Sequence, residues 1–235
     1  MATFTHPMRL RLLRALALAA LAVALATAPA RAQDDGRHPV SGRFFANTMS
    51  AAGASWLDRP EREDEEAPKK AIALLGLKPG DVVADVGAGS GYFALKMAEL
   101  VGPTGRVYAA DIQQEMLDII KSKLGYTPVK NVTLVLGAED NPKLPPNTLD
   151  MALMVDVYHE LHEPQAVLTH LREALKPGGR LILLEYRAED PKVPIQTLHK
   201  MSVQVAKLEI EHEGFVLAKV LNDLPWQHLL IFTRP

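Results

Sequence analysis

The stretch Asp85-Val86-Gly87-Ala88-Gly89-Ser90-Gly91 constrains the fold of this chain more than any other. The apolar run Val82 to Val86 leads into it, and the helix-patterned run Tyr92 to Val101 follows. That layout is a buried strand, a tight glycine turn and a helix. Glycines at alternate positions allow positive φ, and without a Cβ they let a ligand approach the backbone. The next strand-like run, Arg106 to Ala110, ends at Asp111, where a carboxylate can accept hydrogen bonds from ribose hydroxyls. Turn and acid together predict a site for an adenosine-containing small molecule.

Two common phosphate loops are excluded. G-x-G-x-x-G counted from Gly87 requires a glycine where the chain has Tyr92, and there is no G-K-[ST]. The pattern D-x-G-x-G-x-G resembles motif I of class I S-adenosylmethionine (SAM)-dependent methyltransferases. Val107-Tyr108-Ala109-Ala110-Asp111-Ile112, Gly137-Ala138-Glu139-Asp140, Leu149 to Asp156 and Leu175-Lys176-Pro177-Gly178-Gly179-Arg180-Leu181 are similar to that family's later segments. They follow in the family's order over about residues 70 to 190. The resemblance implies SAM as cofactor and a cradle of Gly87, Ala88, Gly89 and Gly91. It implies Asp85 orienting that loop and the methionine end, and Asp111 with Ile112 at the ribose. Ala138 and Glu139 then fall at adenine, and Asp156 on the cofactor loop. The spread of motifs is similar to small stand-alone enzymes related to quinone-biosynthesis methyltransferases. A noncatalytic periplasmic protein that binds SAM or a nucleotide is the alternative.

Strand and helix patterns alternate through the chain. Strands are expected at 82–86, 106–110, 132–136, 151–157 and 180–186, with helices at 92–101, 114–124 and 164–175 between them. A further helix within 194–213 precedes two final strands at 215–221 and 227–232. Such alternation implies a doubly wound, Rossmann-like α/β fold. Its seven-stranded sheet should be mostly parallel, with an antiparallel C-terminal edge made by the last, tightly connected strands. Residues 68–235 form the expected catalytic domain, and 33–67 an N-terminal arm. The segment 56–66 reads as one helix capped by Asp58, with Trp56 and Arg59 as a candidate lid and Arg62 on a solvated acidic face.

Residues 1–32 read differently. Arg9, Arg11 and Arg14 precede an uncharged run from Ala15 to Ala30, and Ala30-Arg31-Ala32 offers a small-residue exit. This predicts a signal peptide cleaved after Ala32 and a periplasmic or secreted product, with an uncleaved membrane anchor as the other reading. The absence of cysteine excludes disulfides and a lipoprotein anchor. The leader holds four arginines and no acid, so the remainder carries 22 basic against 28 acidic side chains, a formal charge of −6. Such a chain is poorly suited to nucleic acid or to an anionic membrane surface, and a small-molecule acceptor is expected. Nothing in the sequence sets an oligomeric state.

Open α/β sheets bind ligands beyond the carboxyl ends of their strands. Tyr158, His159 and Glu160 follow the fourth strand. His159 is the candidate general base, since its unperturbed pKa lies near neutrality, and Tyr158 a candidate positioning group. Tyr186, Arg187 and His199 are the candidate acceptor-binding residues, with His199 placed on the helix after the fifth strand. His159-Glu160-Leu161-His162 is one residue short of H-E-x-x-H, so no metal site is expected.

Overall fold

The structure is a computed structural model, and it describes residues 36–235. The expected leader and its cleavage point lie outside these residues. Eight strands form one sheet: β1 (Val82–Val86), β2 (Arg106–Asp111), β3 (Val132–Leu136), β4 (Leu149–Val155), β5 (Leu175–Arg187), β6 (Lys200–Met201), β7 (Val216–Leu221) and β8 (Gln227–Thr233). Seven run in the order β3-β2-β1-β4-β5-β8-β7, and the two-residue β6 pairs beside the end of β5. Every pairing from β3 to β5 is parallel, while β8 is antiparallel to both β5 and β7. This is the doubly wound, mostly parallel sheet with an antiparallel edge that the alternation implied.

The period-two pattern of each central strand divides the core in two. Val83, Val107, Ala109, Met151, Leu153 and Ile182 face one side, where α3 (Pro68–Leu74), α4 (Tyr92–Val101) and α5 (Gln114–Leu124) cover them. Ala84, Val86, Ala152, Met154, Leu181 and Leu183 face the other, under α6 (Pro164–Ala174) and α7 (Val203–His212). Both faces are therefore dry, which is why these strands read as continuous apolar runs. The order reverses between β1 and β4, so the ends of those two strands splay apart and open a crevice.

Three local expectations are corrected. The 56–66 segment forms two short helices, α1 (Ala54–Leu57) and α2 (Arg62–Glu66), and Asp58 ends the first instead of starting one long helix. Pro60 explains the break, because it lacks an N–H and disfavours helical geometry at Arg59. β4 stops at Val155, two residues short of the expected end, because Asp156 takes φ of 53°. His199 is not helical in the α sense. Thr197–His199 is one 3₁₀ turn, Lys200 pairs with Tyr186, and α7 begins only after Ser202, whose side chain accepts from the Val205 N–H at 3.2 Å. The β6 pairing carries His199 back to the end of β5.

Candidate active site

The glycine loop is shaped by its backbone. Gly87, Gly89 and Gly91 have φ of 71°, 51° and 81°, a region only glycine enters without strain. The N–H groups of Gly87 and Ala88 both donate to the Ala110 carbonyl, at 2.8 and 3.0 Å. Asp111 braces the loop from β2: its Oδ2 accepts from the Gly89 N–H at 2.8 Å and its Oδ1 from the Gln113 N–H at 2.9 Å. Burial raises the pKa of this carboxyl, against the lowering by those backbone donors.

A cavity of about 590 Å³ opens beyond the loop, well within the range of small-molecule sites. Gly87, Gly89, Asp111, Ile112, Ala138, Glu139, Asp156, His159, Tyr186 and His199 all line it. Five other candidates do not. Asp85 is buried behind the loop with Oδ2 unpartnered, and burial pushes its carboxyl up to about 7. Ala88 and Gly91 face the protein interior; a Cβ on Gly91 would lie 2.8 Å from Ile120 Cγ1, so that glycine serves the packing of α4 on α5. Tyr158 is fully buried, with its hydroxyl 3.4 Å from His38 Nε2, so it packs away from the cavity. Arg187 is also turned away. Its guanidinium donates to the carbonyls of Leu224 and Gln227, both at 2.7 Å, and of Pro225.

The acceptor end is built on the close of β4 and β5. Asp156 is strained at positive φ, its Oδ2 accepts from Gln227 Nε2 at 2.6 Å, and its Oδ1 is unpartnered among the described residues. Burial, with Glu66 and Glu185 nearby, holds its pKa well above the usual carboxylate range. His159 Nδ1 lies 2.6 Å from Glu185 Oε2, and its Nε2 lies 3.1 Å from His199 Nδ1. Burial opposes the charged form of His159, yet Glu185 and the other carboxylates around it raise the pKa overall. His199, only partly buried, is lowered by burial and by the neighbouring His159 charge. Glu160 lines the same end, and burial pushes its carboxyl up to about 7.

The arm forms one wall of the cavity. Asn47, Thr48, Met49, Trp56, Leu57 and Arg62 line it, and Gln113 ties the arm down by donating to the Met49 carbonyl at 2.8 Å. Arg62 is not on a solvated face. It is buried, and Glu66 draws in Arg62 and Arg59, each at 2.6 Å, and the Tyr186 hydroxyl at 2.8 Å. Arg59 stacks on Trp56, 3.5 Å from the ring centre. Sequence reading assigned no role to Glu185, expected only to reach the cleft at the end of the fifth strand, or to Glu66. The available signal for Glu185 was a charged residue closing an otherwise apolar strand.

Residues 83–179 match the family model described as a methyltransferase domain. A ubiquinone/menaquinone biosynthesis C-methyltransferase of Pseudomonas putida is 36% identical over 117 residues, which is 49% of this chain and 45% of the relative. The SAM-dependent methyltransferase from Aquifex aeolicus superposes with a TM-score of 0.75 at 28% identity, covering 80% of this chain and all of that one. Residues 83–179 are thus similar to a methyltransferase domain, and the fold is that of a SAM-dependent methyltransferase. The Synechocystis magnesium protoporphyrin IX methyltransferase with bound SAH shares the fold, with a TM-score of 0.57 at 19% identity over 72% of this chain and 82% of that one. The chain spans about half the length of the curated relatives it matches.

The residues fit SAM on structural grounds. The loop, the Asp111 carboxylate, the apolar Ile112 side chain and Asp156 all line one cavity. Buried carboxylates beside it suit a ligand with a cationic sulfonium and ammonium.

Proposed function

We propose that the chain transfers the methyl group of SAM to a small-molecule acceptor bound beside His159, Glu160 and His199. The observation that carries this reading is one continuous cavity, running from the glycine loop and Asp111 to the imidazole pair. SAM, when bound, supplies a sulfonium methyl already activated for transfer. The protein's share is alignment, exclusion of water and removal of a proton. Asp111 accepts from ribose hydroxyls, Ile112, Ala138 and Glu139 border adenine, and Asp156 borders the cofactor. Trp56, Leu57 and the Arg62–Glu66 pair keep water out. His159 takes the acceptor proton, and the buried Glu185 stabilises the imidazolium that results. The quinone-biosynthesis names of the relatives support a small-molecule acceptor for this chain too.

Mass spectrometry of ligand retained through purification, then transfer of labelled methyl into small-molecule extracts, tests the reading. Retention of a nicotinamide nucleotide in place of SAM, or the absence of any labelled product, would sink it. Asp111→Ala is expected to weaken SAM binding by about 1.5–3 kcal/mol, roughly 10- to 150-fold, the loss of a charge-assisted bond at a buried site. Calorimetry on the folded variant measures this, and unchanged affinity rejects the ribose assignment.

SAM affinity should also depend on pH. Glu160, which lines the cavity, and Asp85, buried behind the loop, hold their protons up to about pH 7, because burial disfavours their anions. A cationic ligand favours those anions, so binding releases protons and strengthens as pH rises through 7. Calorimetry in buffers of different ionisation enthalpy reads that release directly. A SAM affinity that is flat from pH 6 to 8 would contradict the coupling.

A further inference from the structure

Three ligand-type atoms meet at the acceptor end of the cavity, the two ring nitrogens joined by one hydrogen bond and the carboxylate oxygen bonded to neither. His159 Nε2 is 3.1 Å from His199 Nδ1, and Glu160 Oε1 is 4.0 Å from the first and 3.8 Å from the second. The carboxylate oxygen is thus turned toward both rings but lies beyond hydrogen-bonding distance of either. Donors about 2.0–2.2 Å from a common ion stand about 3.0–3.5 Å apart, by the geometry of tetrahedral or octahedral sites. The triangle needs to close by only about half an ångström at Glu160, a side-chain adjustment.

The surroundings are those of a metal site. Glu185 Oε2 takes the His159 Nδ1 hydrogen at 2.6 Å, which fixes the ring and leaves Nε2 as the coordinating nitrogen. Glu185 is itself fixed, since it is fully buried and its Oε1 accepts from the Tyr158 N–H at 3.0 Å. All three donor residues line the cavity, so coordination positions beyond the protein's three face the acceptor. Three protein ligands with an open side is the pattern of a reactive site and not of a closed structural one. Two imidazoles with one carboxylate favour a divalent first-row transition ion over magnesium or calcium.

We propose that His159, Glu160 and His199 hold a divalent transition-metal ion whose open position takes an anionic oxygen of the acceptor. This rests on reading that end of the cavity as the acceptor site. The ion takes the place of the proton now shared by the two rings, and lowers the pKa of the oxygen bound to it. The metal reading departs from the expectation drawn from 159–162 alone. The second histidine is supplied not by His162 but by His199, forty positions along, through the β6 pairing.

The test uses the full chain, stripped with a chelator and titrated with zinc by calorimetry and with cobalt(II) by visible absorption. One zinc per chain is expected, with cobalt d–d bands of a nitrogen–oxygen site. His199→Ala and Glu160→Gln should each weaken zinc at least 100-fold and remove the bands. Glu185→Gln, which touches no ion, should weaken zinc about 10- to 100-fold. His199 is partly exposed, so its truncation is compatible with folding, and retained SAM binding in the same sample verifies the fold. No zinc binding in the wild type, or binding unchanged by His199→Ala, overturns the proposal. Zinc and SAM are titrated separately. SAM bound without zinc therefore rejects the metal alone, and zinc bound without SAM rejects the methyltransferase reading alone.

Discussion

Gly89→Val is expected to reduce SAM affinity by about 100-fold while the chain still folds. Two costs combine at this position. The backbone sits at φ of 51°, where a β-branched residue is a genuine outlier, and such strain costs about 1–3 kcal/mol. The new side chain also has no room, because a Cβ there would lie 2.7 Å from Leu57 Cδ1 on α1. Leu57, which lines the cavity, must turn its side chain away to make room. The valine therefore does two things at once: it distorts the loop that Asp111 holds through the Gly89 N–H, and it displaces Leu57 in the cavity wall. Each kilocalorie-scale cost falls on binding at about tenfold per 1.4 kcal/mol. Gly89→Ala grades the effect, adding the Cβ without the branch. Calorimetry with SAM, on variants whose circular dichroism matches the wild type, decides the matter. A dissociation constant within twofold of wild type would remove the loop from the binding site.

The legibility of this site in the sequence follows a physical division. The glycine loop and Asp111 lie within one βαβ unit, where local pattern and local structure are the same thing. Strand β1 and helices α4 and α5 fall where their apolar periods end. The acceptor end is assembled from residues distant in the chain, so its geometry depends on pairings that no local pattern encodes. His199 shows this most directly. Its neighbours suggest a helix, yet two residues of parallel pairing against Tyr186 and Arg187 carry it to His159. Arg62 shows the same limit from the other side. An arginine among five acids, Glu61 and Glu63 to Glu66, reads as solvated, but Glu66 and the rings of Tyr92 and Phe93, each about 5 Å from its guanidinium, bury it. Tyr158 and Arg187 were misread because adjacency in sequence is not adjacency in direction. Tyr158 leaves the site for the His38 side, and Arg187 for the carbonyls before β8.

The second large effect concerns turnover. His159→Ala should lower the rate of methyl transfer by about 10²–10⁴-fold, the usual contribution of a positioned acid–base group. SAM affinity should change little, because the glycine loop and Asp111 lie on β1 and β2, away from the imidazole. The pH dependence gives a sharper signature. His159 is held protonated by Glu185 and its neighbouring carboxylates, despite burial, so its pKa lies above that of an ordinary histidine. Only the neutral ring can accept a proton. The wild-type rate should therefore be low in acid and rise through an apparent pKa above about 6.5, and the variant should lack that limb. Glu185→Gln tests the same link without removing the ring. With the carboxylate gone, the imidazole titrates at lower pH, and the rate profile should shift toward acid. Measuring the wild type and Glu185→Gln in the chelated and the zinc-loaded chain separates a base from a ligand. In the chelated chain the titrating limb belongs to His159 itself, whereas in the loaded chain it belongs to the oxygen bound to the ion. Full turnover by His159→Ala would leave the ring a purely structural part. Catalysis would then rest on alignment within the cavity, with Tyr186 and Asp156 as the next positions to change.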